Sequence, residues 1–402
     1  MSLWMSKLQR LSKQVKLTVF TILMTATSVC SAIPVHAATT DIALAAQAKA
    51  AVLMDATTGT ILFSKNEHQR LPIASVTKVM TMLLIFDAID RSQLHLTDRI
   101  RTSDYAASMG GSQIFLKPGE QMTLRDMLKG IAISSANDAA VAVGEHLAGS
   151  EANFVRLMNV RAQGLQLKDT HFINANGLPV ANHYSSAYDL AVLSRELMKH
   201  EQVTRFTGVY SDHLRQHTEH PFWLVNTNKL IRFYQGMDGI KTGYTAEAKY
   251  CLAASAKRNH FRVIAVVLGE PRAPVRNAEV TEMMNYAFSH YDIKSVYAKG
   301  QVVTLAPVWR GQLQVVGVAP TQTVGILVSK MDHSVTGTVK TELIPLFAPV
   351  KKGQFAGCVK IMTNDKVVVS VPLITVSEIE KVSFFEMLGR SIKSLFLLGV
   401  RQ

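Results

Sequence analysis

The sequence predicts an α/β (α+β) domain, then a small all-β domain, then a C-terminal amphipathic helix. Three observations carry this. Strand-like apolar runs stand at both ends of a long region of helical spacing, near residues 51–63 and 250–268. Past residue 291 the helical spacing gives way to short β runs, and from residue 382 one amphipathic pattern returns. Strands at both ends with helices between them build a single sandwich; a parallel doubly wound sheet would alternate strand and helix throughout.

The first 37 residues are set aside as a secretory signal peptide. Lys7, Arg10, Lys13 and Lys16 form a basic leader, an apolar run follows from Leu17 to Val29, and Val35-His36-Ala37 supplies small residues for cleavage. An uncleaved anchor is the rival reading, but the apolar core is short for one. The full chain of 402 residues carries a net charge of +13, and losing four cations and no acids leaves +9 over 365 residues. For an exported basic protein the expected partners are an anionic envelope and membrane surface, not nucleic acid. Cys251 and Cys358 alone follow the leader, in unrelated settings, so no disulfide framework is expected.

Within residues 38–291, the stretch 51–63 reads as two β runs around a turn at Thr57 to Gly59. Helical spacing then runs from Ser75 to about Met198. After Lys241-Thr242-Gly243 come two strands, 250–256 and 261–268, and a helix over 275–291. Residues 292–376 form the small, sandwich-like β domain, with runs at 302–305, 312–317, 323–328 and 366–371. Residues 377–402 hold the tail. Phe384, Phe385, Met387, Leu388, Ile392, Leu395, Phe396 and Leu398 share half of its helical wheel, with Glu386, Arg390 and Lys393 opposite. It reads as an interfacial membrane helix, too short and too charged to span a bilayer. The alternative is a helix packed on the β domain.

Chemistry is concentrated at three places. In "LPIASVTKVM", Ser75 stands three residues before Lys78, close to one helical turn, so both side chains share a face. Ser135 and Asn137 lie in "SSAND" between apolar helical segments, and Lys241-Thr242-Gly243 opens a strand region. Each alone is weak. In this order they match the three-part signature of penicillin-binding proteins and class A β-lactamases, with Ala136 where the second element has aspartate.

With the stretches "VLMDATTGTILFSKN", "FLKPGEQMTLRDMLKGIAISSANDAA", "FINANGLP" and "MDGIKTGYT", the whole chain resembles the low-molecular-mass penicillin-binding proteins, specifically the serine D-alanyl-D-alanine carboxypeptidases. The resemblance implies a β-lactamase/penicillin-binding-type catalytic domain that trims the last D-alanine from peptidoglycan pentapeptide stems through an acyl-enzyme, and that β-lactams acylate. It makes Ser75 the nucleophile, Lys78 its base, Ser135 a proton relay and Asn137 a hydrogen-bonding partner of substrate or Lys78. Lys241 and Thr242 receive the substrate carboxylate, Gly243 admits the substrate backbone, and the backbone N–H groups of Ser75 and Tyr244 hold the oxyanion. Relatives place an arginine where Thr227 stands in "NTN"; Arg276 matches a second basic position, and its plain alternative is a solvated helix start. Endopeptidase action on cross-links, β-lactamase action and a noncatalytic wall-binding scaffold are the rivals. The resemblance implies no cofactor. A metal reading of His213, His217 and His220 with Glu219 lacks the H-E-x-x-H pattern, and an exposed polar turn accounts for them better.

Overall fold

The computed structural model describes residues 44–383 and 386, apart from 217, 220, 332–336 and 364–365. Strands β1 (Ala50–Asp55) and β2 (Ile61–Lys65) pair antiparallel, as the two apolar runs predict. The turn between them is built by Asp55, whose carboxylate accepts the N–H groups of Thr57 and Thr58 at 2.9 Å, and by Gly59 at φ +78°. Two short hairpins follow, β3 (Arg99–Arg101) with β4 (Gln121–Thr123), and β5 (Ser211–Leu214) with β6 (Phe222–Val225).

The main sheet is completed from far along the chain by β7 (Met237–Thr245), β8 (Lys249–Arg258) and β9 (Phe261–Glu270). Its order is β2-β1-β9-β8-β7, all neighbours antiparallel. The strand β9 is central and nearly continuous in apolar residues because both of its faces are covered. One face packs the larger core, formed mostly by the helices between β2 and β7; the other packs Val280, Met283, Met284 and Ala287 of the helix Ala273–His290. At the opposite edge from β2, strand β7 pairs with β8 alone, leaving its other side open.

At the centre of the larger core runs the helix Lys78–Asp90, with nine of its 13 residues buried. It is apolar nearly all round because other helices pack around it. This burial carries Lys78 into the interior with it.

The β domain contains β10 (Tyr291–Tyr297), β11 (Thr304–Trp309), β12 (Val315–Pro320), β13 (Val324–Ser329), β14 (Thr338–Leu343), β15 (Leu346–Phe347), β16 (Phe355–Thr363) and β17 (Lys366–Thr375). Six of them form a sheet of order β14-β16-β17-β12-β11-β15, and β10 pairs with β13. Beyond β17 the chain stays with this domain: Ile379 is buried and bridges Val350, and Lys381 bridges Gly311. The domain therefore continues past residue 376, where sequence spacing placed its end. Of the amphipathic helix expected from residue 382, Val382, Ser383 and Glu386 are described; the rest lies outside the described residues. Ser383 and Glu386 exchange backbone-to-side-chain hydrogen bonds of 3.3 Å in each direction, the pattern of a capping box.

Candidate active site

Ser75 sits in a 3₁₀ turn, Ala74–Thr77, that runs directly into the helix Lys78–Asp90. In a 3₁₀ turn, residues i and i+3 eclipse one another. The Lys78 Nζ accordingly lies 3.0 Å from the Ser75 Oγ. Sequence spacing brought these two together; it did not predict the backbone before them, where Ala74 has φ +47°. A residue with a Cβ is strained there, and the surroundings must hold it.

Lys78 is fully buried, and its amine meets three oxygens: Ser75 Oγ at 3.0 Å, Asn137 Oδ1 at 2.5 Å and the Asn176 carbonyl at 2.6 Å. Burial first, then the neighbouring Lys241 charge, hold its pKa well below the ordinary lysine value, against a smaller opposing pull from Asp138. A neutral amine has two N–H donors and one lone pair. Two of the three oxygens are carbonyls that accept only, so they take both donors. The lone pair is left for the Ser75 hydroxyl, whose proton it can receive.

Asn176 is a functional position that sequence reasoning missed. The signal was present in "NANGL", where two asparagines precede a glycine as in a tight turn. Asn174 Oδ1 accepts from Gly177 N, Asn176 Oδ1 accepts from Leu178 N, and Asn174 Nδ2 donates to Leu178 O. These bonds fix the loop, and Thr81 ties it to the helix by donating to the Ala175 carbonyl at 2.6 Å. Gly177, at φ +84°, is required: a Cβ there would stand 2.0 Å from the Ala74 carbonyl oxygen.

The third wall comes from the segment 130–148. A π-turn, Gly130–Ser134, ends in Ser135 at φ +67°, and the helix Asn137–Ala148 follows. The helix that follows this break carries Asn137 to the Lys78 amine. Asn137 donates through Nδ2 to the Gly110 carbonyl at 2.7 Å, which orients its Oδ1 onto Lys78. Ser135 is buried. The carboxylate of Asp138 accepts from Ile114 N and Leu116 N, pinning the loop that carries Gly110.

Strand β7 closes the site with its open edge. Lys241 and Thr242 are buried, and Thr242 donates to the Thr227 hydroxyl at 2.7 Å, giving that threonine a place beside the site. Burial, then the Arg276 charge, bring the Lys241 pKa to about 7. Arg276 is itself buried, so the solvated helix start considered from sequence is not what the fold provides; its guanidinium bonds Asn277 Oδ1 at 2.9 and 3.1 Å. At Gly243 a Cβ would lie 2.6 Å from the Ile73 carbonyl oxygen and 3.2 Å from the Ala74 Cβ. The glycine thus lets β7 lie against the Ser75 turn, a reason additional to substrate approach. The Tyr244 ring is exposed and packs on Tyr250 with centroids 4.4 Å apart.

Residues 35–272 match the family described as D-alanyl-D-alanine carboxypeptidase. The chain belongs to that family. Residues 291–381 match the C-terminal domain of penicillin-binding protein 5. D-alanyl-D-alanine carboxypeptidase DacF of Bacillus subtilis is 47 % identical over 352 residues, covering 87 % of this chain and 90 % of its own. DacD of Escherichia coli is 33 % identical over 346 residues, covering 84 % and 88 %. Among solved structures, penicillin-binding protein 6B from Escherichia coli superposes with a TM-score of 0.62 at 31 % identity, covering 82 % of this chain and 95 % of its own.

In this carboxypeptidase fold other polar side chains take structural places. Asp189 accepts from Asp169 N and from the Thr170 hydroxyl, and so braces a loop. His213 lies on β5, not in a helix, and His217 and His220 lie outside the described residues. Among the described residues no three His, Cys, Asp or Glu side chains gather to hold a metal.

Proposed function

We infer that this chain is a serine D-alanyl-D-alanine carboxypeptidase that releases the terminal D-alanine of peptidoglycan pentapeptide stems through an acyl-enzyme on Ser75. The observation that carries this is the buried Lys78 amine, 3.0 Å from the Ser75 Oγ and held there by two carbonyl acceptors, Asn137 Oδ1 and Asn176 O.

In the first step Ser75 Oγ attacks the carbonyl between the two D-alanines, and its proton passes to Lys78 Nζ. The negative charge that develops on the carbonyl oxygen is met by the backbone N–H groups of Ser75, at the start of its turn, and Tyr244, on the β7 edge. Breakdown of the tetrahedral adduct requires a proton on the departing amine. In this reading Ser135, which is buried two residues before Asn137, carries it from Lys78. Water then attacks the ester, the proton again moving to Lys78, and the serine is regenerated. Lys241 and the Thr242 hydroxyl receive the terminal carboxylate, with the Arg276 charge behind them and Asn137 alongside. β-Lactams, which resemble the dipeptide, acylate the same serine.

The location that fits this substrate is the outer face of the cytoplasmic membrane, after removal of a leader ending at Ala37. No helix among the described residues is long and apolar enough to cross a membrane. The tail is a peripheral anchor, a reading supported by its amphipathic pattern and by the capping bonds between Ser383 and Glu386.

Intact-protein mass spectrometry after exposure to penicillin, with peptide mapping, tests the nucleophile. One adduct at Ser75 is expected, and Ser75→Ala should lose both the adduct and D-alanine release. An adduct on another serine in that variant would refute the assignment.

A further inference from the structure

The six-stranded sheet of the β domain is apolar on its inner face and, at its β12-β11-β15 end, on its outer face as well. Ala306, Val308, Val316, Val318 and Leu346 face inward, in the core of the domain. Successive side chains of a strand point to opposite sides, so Leu305, Pro307 and Trp309 of β11 face outward. Val315 stands opposite Pro307, and Phe347 opposite Trp309, so both share that outer face. Leu313 extends the strip from the turn between β11 and β12. Leu305, Trp309, Leu313, Val315 and Phe347 are 45–63 % exposed. A solvated sheet face ordinarily alternates to polar residues. A contiguous strip of this kind, two of its residues aromatic, marks a surface with a partner.

The path of the chain indicates which partner. The Val382 N–H donates to the Arg310 carbonyl at 3.0 Å, and the Gln312 N–H donates to the Glu380 carbonyl at 2.9 Å. The polypeptide therefore leaves the domain beside Trp309, and the amphipathic sequence 384–402 begins there. Arg310, Lys351, Lys352 and Lys381 are exposed around this end, with Glu378, Glu380 and Glu386 as the described acids among them. Aromatic side chains flanked by cations suit the boundary between headgroups and acyl chains. We propose that the outer strip of β11, β12 and β15 is a second lipid contact, which lays the β domain against an anionic bilayer beside the tail. This rests on the envelope location inferred above.

Trp309 is its own reporter. In a chain starting at Ala38, Trp223 and Trp309 are the remaining tryptophans, so Trp223→Phe leaves one. The experiment adds phosphatidylglycerol/phosphatidylcholine vesicles, with and without bromine on the acyl chains, and measures co-sedimentation and Trp309 emission. Expected are a shift of the emission to shorter wavelength, quenching by brominated lipid, and partitioning weakened at least about ten-fold by Trp309→Ser with Phe347→Ser. Penicillin acylation of Ser75 serves as the control for folding in those variants. A vesicle-bound protein whose Trp309 escapes quenching overturns this inference and leaves the anchored tail standing. A protein that does not bind vesicles overturns both. If acrylamide reaches Trp309 only after truncation behind Ser383, the tail covers the strip; if the free protein is a dimer that the double variant dissociates, a second copy does. Either result rejects the lipid contact.

Discussion

The Nε2 of His183 lies 2.7 Å from the hydroxyl of Thr77, two residues after the nucleophile. The Ile173 N–H donates to the Nδ1 of the same ring at 3.1 Å, so Nδ1 is the bare nitrogen and Nε2 carries the hydrogen. It donates to Thr77, and Thr77 donates to the Ala74 carbonyl at 2.8 Å. This chain of bonds restrains the residue at positive φ immediately before Ser75.

Thr77→Val should therefore slow β-lactam acylation by about ten- to a hundredfold, since small misplacement of a reacting group costs that much. Thr77→Ser, which keeps the hydroxyl, should restore most of the rate. Stopped-flow acylation rates beside melting temperatures decide it. An unchanged rate in a folded Thr77→Val protein means the hydroxyl does no positioning.

Burial, with His171 nearby, lowers the His183 pKa from 6.5 to about 4. Below about pH 6.5 the unfolded chain takes up a proton at this site that the folded chain refuses until about pH 4. His183 thus withdraws stability as pH falls through that window, by at most about 1.4 kcal/mol per pH unit. Urea unfolding midpoints of the parent and of His183→Gln between pH 4 and 7 provide the measurement, and the variant should show the shallower acid slope.

Lys241 is the second cause, after burial, of the depressed Lys78 pKa. Lys241→Gln removes that charge, so the Lys78 pKa should rise and the acid limb of the acylation rate should move to higher pH. A limb that stays in place would show that Lys241 acts on the substrate alone.

With its pKa near 7, Lys241 loses charge as pH rises through neutrality in the empty site. The KM of an acid-terminated D-alanyl-D-alanine peptide should climb above that pH, while the KM of the amide-terminated peptide stays flat. Turnover of the amide should be much the poorer. Equal turnover of acid and amide would point to endopeptidase specificity.

Gly243→Ala places a methyl 2.6 Å from the Ile73 carbonyl oxygen, pressing β7 away from the Ser75 turn. Acylation should fall about a hundredfold or more. Circular dichroism and the melting curve distinguish this from unfolding, because the push falls on an edge strand.

Ser75, Lys78, Ser135, Asn137 and the run from Lys241 to Tyr244 stood out as candidates because they are close in sequence within three short motifs, and the fold brings Lys78 to Ser75 and Asn137. Strands β1, β2, β8, β9 and the helix Ala273–His290 were legible too, since each carries its own apolar period. In the β domain, β14 and β16 were missed: three consecutive polar residues, Lys340 to Glu342, break the apolar pattern of β14, and Gly357 interrupts β16 at a bulge.

By itself the sequence determined which side chains are the candidates for the chemistry and that strands bracket helices, because motif spacing and hydrophobic periodicity are local properties. Only the tertiary structure decided that Asn176 presents its carbonyl to Lys78, that His183 braces Thr77, and that Arg276 is buried behind Lys241. These partners lie 98, 106 and 35 residues apart. Their meeting depends on the loop 174–184 and the helix Ala273–His290 packing against the core, and no local period encodes it. The lowered pKa of Lys78 is likewise a property of the fold, since burial and a second lysine create it and neither is written in the motif that contains it.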